Sequence, residues 1–170
     1  MTAPDAAARA TVRPARRGDL ARVWELLNGL AEYERWTEYV TGTREELGDA
    51  LFGAAPAAEC IVAESAGAIV GYAIVYPTFS SFRVRRMLWL EDLFVVAEAR
   101  GTGAGRLLLA AVARRALERG CFRVDWLVLD WNEQAIGFYR RMGATPTAAG
   151  ATQLGLTRDA LERIVAETPA

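Results

Sequence analysis

The 170-residue chain contains no histidine. Ser–His and Cys–His nucleophile pairs are therefore excluded within it, as are zinc sites built on imidazole. Acid–base chemistry is left to carboxylates, tyrosine, amines and water. Cysteine is scarce: Cys60 and Cys121 stand alone, without a CxxC pair. They make a poor structural metal site and no disulfide framework, so no metal is expected and a reducing cytoplasm is the expected setting. Long apolar runs are missing too. The stretch Leu107 to Ala113 is far short of the roughly 20 residues a membrane span needs, so no membrane association is expected. A surplus of one charge is also lacking. The formal net charge of −1 gives no basic face for nucleic acid and no acidic interaction arm. Residues 1–10 have no apolar core segment and read as a disordered lead-in, not a signal peptide.

What is present fits one domain with a sizeable core: 52% of residues are apolar and 24% charged. Thr11, Val12 and Arg13 have a short β pattern before Pro14. Leu20, Val23, Trp24, Leu27 and Leu30 recur at helical spacing, with Asp19 placed to cap them. Thr43 and Glu46 form a capping-box pattern for a helix reaching Phe52. Cys60–Glu64 and Ile69–Tyr76 read as strands joined at Ala66-Gly67. The spacing predicts a loop over Pro77–Arg86, a long strand over Met87–Val96, and a helix from Gly103 or Ala104 to Arg119, ending at Gly120. A strand over Phe122–Asp130 and a helix over Asn132–Met142 follow. In the tail, Thr152–Leu156 has a strand pattern and Thr157–Ala166 a helical one. Strands and helices interleave, so the expectation is one α/β domain around a mixed sheet.

The most informative stretch is Arg100-Gly101-Thr102-Gly103-Ala104-Gly105. It follows a strand and opens a helix. Alternating glycines let the backbone approach a ligand and adopt positive φ. The first helical N–H groups lack intrahelical partners and lie at the positive end of the dipole, which suits a phosphate or pyrophosphate. Arg100 at the mouth is placed to add a charge-assisted bond. A tight turn without ligand is an equal reading of an isolated G-x-G-x-G. A P-loop is disfavoured because Arg106-Leu107 stands where Lys-Ser/Thr is needed. The Rossmann spacing is one residue short, although Asp125 sits where a ribose-binding acid belongs.

At these residues the chain resembles the GNAT acetyltransferases, whose acetyl-CoA loop reads R/Q-x-x-G-x-G/A; Arg100, Gly103 and Gly105 match it. Leu90-Glu91-Asp92-Leu93-Phe94-Val95 before the loop is similar to the diamine branch, which includes spermidine/spermine and thialysine acetyltransferases. So are Asp130-Trp131-Asn132-Glu133, Ala135-Ile136-Gly137-Phe138-Tyr139 and Gly143-Ala144 after it. The resemblance runs from about Val12 to Leu161. It implies a single GNAT domain over residues 11–170, with a mixed central sheet that splays between two parallel strands, Met87–Val96 and Phe122–Asp130, and is flanked by helices.

The resemblance also implies roles. Acetyl-CoA would lie in the splay, with its pantetheine along the main chain of Leu93, Phe94 and Val95. One of those N–H groups would meet the thioester carbonyl and stabilise the developing oxyanion. Gly101, Thr102, Gly103, Ala104, Gly105 and Arg106, with Arg100, would hold the pyrophosphate. Asn132, Glu133 and Ala135 would border the pantetheine arm. Tyr139 would protonate the leaving thiolate; an ordinary phenol, with a pKa of about 10, is a serviceable acid near neutrality. From the residues alone, Tyr139 reads first as a core aromatic sharing a helix face with Ile136; the acid role comes from the resemblance.

Glu91 is a carboxylate inside an apolar strand, costly without a task, and is suited to take the proton of an attacking amine; an edge-facing, solvated side chain is the competing reading. Alternation directs Asp92 to the opposite face, as a structural residue. Tyr33 and Glu34, with Glu38 less strongly, would border a cationic acceptor. Trp126, or Asp125 on the other face, would line the same pocket. Cys60 and Cys121 read as small packing residues.

Two segments depart from the family pattern. Phe79, Phe82, Arg83, Arg85 and Arg86 bring aromatic and positive groups to the 78–86 loop: either a solvated loop or a site for an acceptor that also carries a carboxylate. Residues 148–152 lack the acidic, Trp-bearing segment, which argues against a long polyamine. The expectation is direct acetyl transfer in a ternary complex to a small-molecule primary amine, by a cytoplasmic homodimer. The alternative is a non-catalytic acetyl-CoA-binding regulatory module.

Overall fold

The computed structural model describes residues 10–147 together with Leu156 and Asp159. The tail strand and helix expected over 152–166 therefore lie outside the described residues, Leu156 and Asp159 excepted. Contacts divide the chain into two compact units after Leu127, and each is described by itself.

The first unit is built on a five-stranded sheet in the order β1-β2-β3-β4-β5: β1 (Thr11–Pro14), β2 (Glu59–Ser65), β3 (Ala68–Ser80), β4 (Arg85–Val95) and β5 (Val124–Asp125). Neighbours pair antiparallel, except β4 and β5, which run parallel. One face carries α3 (Ala104–Glu118), whose Leu108 and Val112 meet Ile61, Ala63, Ala73, Val75, Leu88 and Leu90. The other carries α1 (Leu20–Glu34) and α2 (Arg44–Phe52), where Val23, Leu26 and Leu51 meet Val62, Tyr72 and Ile74. Adjacent strand residues thus divide between two cores, as a twofold side-chain period requires.

Local signals explain most element ends. Thr43 and Glu46 close the expected capping box at α2: the Glu46 N–H donates to Thr43 Oγ1 (3.2 Å) and the Thr43 N–H to Glu46 Oε2 (2.8 Å). Ala66 and Gly67 turn the β2–β3 hairpin with φ of 50° and 80°, the paired positive φ of a type I′ turn. Asp19 differs from expectation. It precedes α1, but its carboxylate makes no bond to the helix N–H groups. Instead it accepts from the Arg16 N–H (2.7 Å) and the Arg13 guanidinium (2.6 Å), bracing the short turn before α1.

Two further expectations are corrected. Residues 77–86 are not a loop: β3 continues to Ser80, β4 begins at Arg85, and only 81–84 turn the chain. Pro77 misled the reading. β2 begins at Glu59, opposite Val75, so past Val75 β3 has β4 alone as neighbour, and an edge tolerates proline. The strand expected over Phe122–Asp130 shrinks to Val124–Asp125. Among the described residues, no helix is long and apolar enough to cross a membrane.

The second unit contains α4 (Glu133–Arg141). The Asn132 side-chain oxygen accepts the Ala135 N–H (3.1 Å) at its start, and Gly143, with φ of 92°, follows its end.

Candidate active site

The turn between β4 and α3 has the geometry its glycines suggest. Gly101 and Gly103 lie at φ of 79° and 95°, where side chains other than glycine's are strained. A Cβ built on either meets no atom within 4 Å, so conformation, not crowding, demands glycine there. Thr102 Oγ1 donates to the Ala99 carbonyl (2.7 Å). No side chain caps the α3 N-terminus and no acid occupies its first turn, while Arg106 is exposed there. Unshielded amides, a positive dipole end and open space fit the diphosphate of coenzyme A. Gly103→Ala is expected to weaken acetyl-CoA binding about tenfold, from the roughly 1–2 kcal/mol cost of left-handed φ with a Cβ. Isothermal calorimetry with acetyl-CoA measures it.

Arg100 is not aimed into this turn. Its Nε donates to the Val95 carbonyl (3.1 Å), and its guanidinium lies 4.7 Å from the Tyr33 ring centre and 5.9 Å from that of Phe94. It thereby ties the end of α1 to the edge of β4. Tyr33 is accordingly placed against Arg100.

That edge is open. β4 pairs with β5 only at Leu88↔Val124 and Trp89↔Asp125, so Leu90–Val95 has no strand on that side among the described residues. The Val96 N–H donates to Val70 across β3 (2.9 Å), and a Cβ on Gly71 would stand 2.6 Å from the Phe94 carbonyl. Val96 and Phe94 therefore turn their main chains to β3. By alternation, Leu93 and Val95 turn theirs to the open edge. This splits the expected trio: two backbones face the notch and the third faces inward. Phe94 contributes its ring instead, which lies 3.5 Å from a Cβ built on Gly29.

A β-bulge lies upstream. Ile74 pairs with Asp92 and Val75 with Leu90, leaving Glu91 as the extra residue. The expectation that Glu91 and Asp92 face opposite ways is thereby corrected. The Tyr76 hydroxyl donates to Glu91 Oε2 (3.1 Å) and the Tyr72 hydroxyl to Asp92 Oδ2 (3.1 Å). Tyr72 and Tyr76, four residues apart on β3, share a face, and so do the acids they hold. The Trp89 indole N–H donates to the same Glu91 oxygen (2.8 Å).

Glu34, at the end of α1, completes a group of three carboxylates. Burial pushes the Asp92 carboxyl up to about 6. The Tyr72 hydrogen bond opposes the rise, and the Glu91 and Glu34 charges add to it. Burial also raises Glu34. Tyr72 is held well above the usual phenol range by burial, then by the Asp92 charge and hydrogen bond. Among the described residues none of the three acids pairs with an arginine. The chain has no lysine or histidine, so a balancing side-chain cation would have to be an arginine or come from a ligand. Burial, with Asp92 and Asp19 nearby, pushes the Cys60 thiol up to about 12, which suits packing rather than nucleophilic attack.

Asp92 also makes stability depend on pH. Its folded value lies above the ordinary 3.8, so the folded state holds the proton more tightly. Stability falls as pH rises between those values. Asp92→Asn is expected to raise the melting temperature near pH 8 and leave it unchanged near pH 4, the difference being on the order of 1–3 kcal/mol. Thermal denaturation at both pH values measures it.

Trp126 is not with the carboxylates. It packs against the α3-side core, on the opposite face. Asp125, paired with Trp89, is the β5 residue on the acidic face. It is 8% exposed, with Oδ2 held by Arg123 (3.0 Å). In the second unit, Tyr139 is half-buried on α4, its ring 5.2 Å from that of Phe138. The Asn132 oxygen serves the helix cap, Ala135 is half-buried and Glu133 exposed. Sequence reasoning missed Asp92, Tyr72, Tyr76 and Trp89 as members of the site. The adjacent acids in an apolar strand and the tyrosines at i, i+4 on its neighbour were the available signals.

A fold with an open β4 edge beside a glycine-rich helix start defines an acyl-CoA-dependent transferase. Residues 23–144 match the model of the acetyltransferase (GNAT) family, and the chain belongs to that family; it is an N-acetyltransferase that draws on acetyl-CoA. It is 36% identical over 141 residues to the thialysine N-epsilon-acetyltransferase of Bos taurus, covering 78% of this chain and 82% of that one. Over a shorter stretch of 76 residues it is 42% identical to an L-ornithine N5-acetyltransferase of Arabidopsis thaliana, 45% of this chain and 33% of the relative. Among solved structures, an integron cassette protein from the mobile metagenome of V. cholerae superposes with a TM-score of 0.73 at 21% identity, over 92% of this chain and 98% of that chain; that likeness speaks for the fold.

Proposed function

We propose that the protein acetylates the primary amine of a small cationic acceptor, a diamine, polyamine or lysine-like amino acid, by direct attack in a ternary complex. The observation that carries this is the meeting of Glu91 and Asp92 on one sheet face with Glu34 of α1 beside Asp92, none of the three paired with an arginine among the described residues, next to the open edge of β4. Uncompensated carboxylates in a partly dry site favour a cation strongly. The relatives named above act on thialysine and L-ornithine, each an amino acid with a side-chain amine.

Acetyl-CoA supplies the activated acyl group. The turn from Arg100 to Arg106 would bind its diphosphate through main-chain amides, and Leu93 and Val95 would present N–H groups along the notch, one of them to the thioester carbonyl. Glu34 and Asp92 hold the cationic acceptor, and Glu91 removes the proton that the amine must lose before attack. By the family resemblance, Tyr139 would deliver a proton to the departing sulfur, and Asn132, Glu133 and Ala135 would border the pantetheine.

A thiol-release assay with acetyl-CoA and a panel of diamines, polyamines, thialysine and ornithine tests the reading. Turnover with at least one amine supports it. Acetyl-CoA binding without turnover on any amine would instead favour the non-catalytic module.

A further inference from the structure

Glu91 is the most exposed of the three acids, yet its carboxylate is not loose. The Trp89 indole N–H and the Tyr76 hydroxyl donate to one and the same oxygen, Oε2, at 2.8 and 3.1 Å. The two donors come from different strands: Trp89 two residues before Glu91 on β4, and Tyr76 directly across from Trp89 on β3. Their rings lie 6.5 Å apart, so the donors flank the carboxylate as a pair. The bulge at Glu91 makes this possible, since it sets Glu91 on the face that Trp89 and Tyr76 share. An exposed glutamate with two fixed neutral donors on one oxygen has lost the rotamer freedom that a surface glutamate normally keeps.

We propose that Trp89 and Tyr76 are positioning residues that lock Oε2 of Glu91 and so present Oε1 as the oxygen that receives the amine's proton. The inference rests on the acetyl-transfer reading above. In the step, the N–H bond of the bound ammonium breaks and an O–H bond forms at Oε1. The nitrogen keeps the electron pair it uses for attack, and the proton passes from Oε1 to solvent water. Donors that occupy Oε2 leave Oε1 as the oxygen available to accept. They also fix its direction, and misplacement of a base by about 1 Å costs on the order of 10²-fold. Among the described residues, the titratable groups shown against Glu91 are Tyr76 on β3 and Asp92 on β4, while Glu34 on α1 acts on Asp92.

Two measurements test the clamp. The first needs no turnover. In nitrogen-15-labelled full-length protein, the Trp89 indole resonance, assigned by its loss in Trp89→Phe, should shift as Glu91 ionises. The shift should persist in Asp92→Asn and vanish in Glu91→Gln. A flat indole resonance in the native chain, or an unchanged shift in Glu91→Gln, overturns the proposal. The second is the pH profile of kcat/KM with thialysine and with 1,3-diaminopropane. Trp89→Phe combined with Tyr76→Phe should lower kcat across the profile about tenfold or more and leave the KM for acetyl-CoA unchanged. A profile that coincides with that of the native protein overturns the clamp while acetyl transfer stands. Absence of native turnover with either amine would count against those acceptors, and the resonance would still decide whether the clamp exists.

Discussion

Glu91→Gln is expected to reduce kcat/KM for the amine acceptor by about 10²–10⁴-fold, with acetyl-CoA affinity unchanged. The amide keeps the shape of the side chain and an oxygen for Trp89 and Tyr76, whose donors reach Glu91 at 2.8 and 3.1 Å. What it loses is the capacity to take a proton. The loss falls on the transition state, so kcat drops while acceptor KM changes little. Asp92 and Glu34 remain on the same face, but Asp92 is buried and bonded to Tyr72, and neither sits in the clamp. Steady-state kinetics with calorimetric acetyl-CoA binding tests this. Retention of full kcat by Glu91→Gln removes Glu91 from the proton path.

Tyr139→Phe is expected to lower kcat by a similar factor, about 10²–10⁴, again without loss of acetyl-CoA affinity. The ring stays, so its packing beside Phe138 survives, and only the hydroxyl is removed. A diagnostic follows from the chemistry. Thiolates that leave easily need no acid, so an acetyl thioester of a low-pKa thiol should restore much of the lost rate to Tyr139→Phe and none to Glu91→Gln. Equal rescue of both variants would deny Tyr139 the role of acid.

The readable parts of the fold were those set by local chemistry. The capping box at Thr43 and Glu46, the Ala66-Gly67 turn and the Gly101–Gly103 pair each depend on a few adjacent residues, and each lies where the letters place it. The illegible parts depended on neighbours far along the chain. Pro77 reads as a breaker because the sequence does not show that β2 reaches only as far as Val75, leaving Pro77 on an edge. Phe122–Asp130 has the composition of a long strand, but β4 accepts only two of its residues as partners. The bulge is the most consequential case. Strict alternation assigns Glu91 and Asp92 to opposite faces, and one unpaired residue undoes that, gathering an acidic site that periodicity divides. Trp126 was misplaced for want of the face of β5, which only its packing with the α3 core reveals.

The unpartnered side of Leu90–Val95 has a consequence for handling the protein. A half-bonded strand in the middle of a sheet is a template on which another copy's backbone can register, the usual start of edge-to-edge aggregation. Arg100 blocks one carbonyl at its end, and among the described residues no strand pairs with the remaining length. A resident coenzyme would therefore serve as a built-in antiaggregant, and preparations stripped of it would be the ones to cloud on storage.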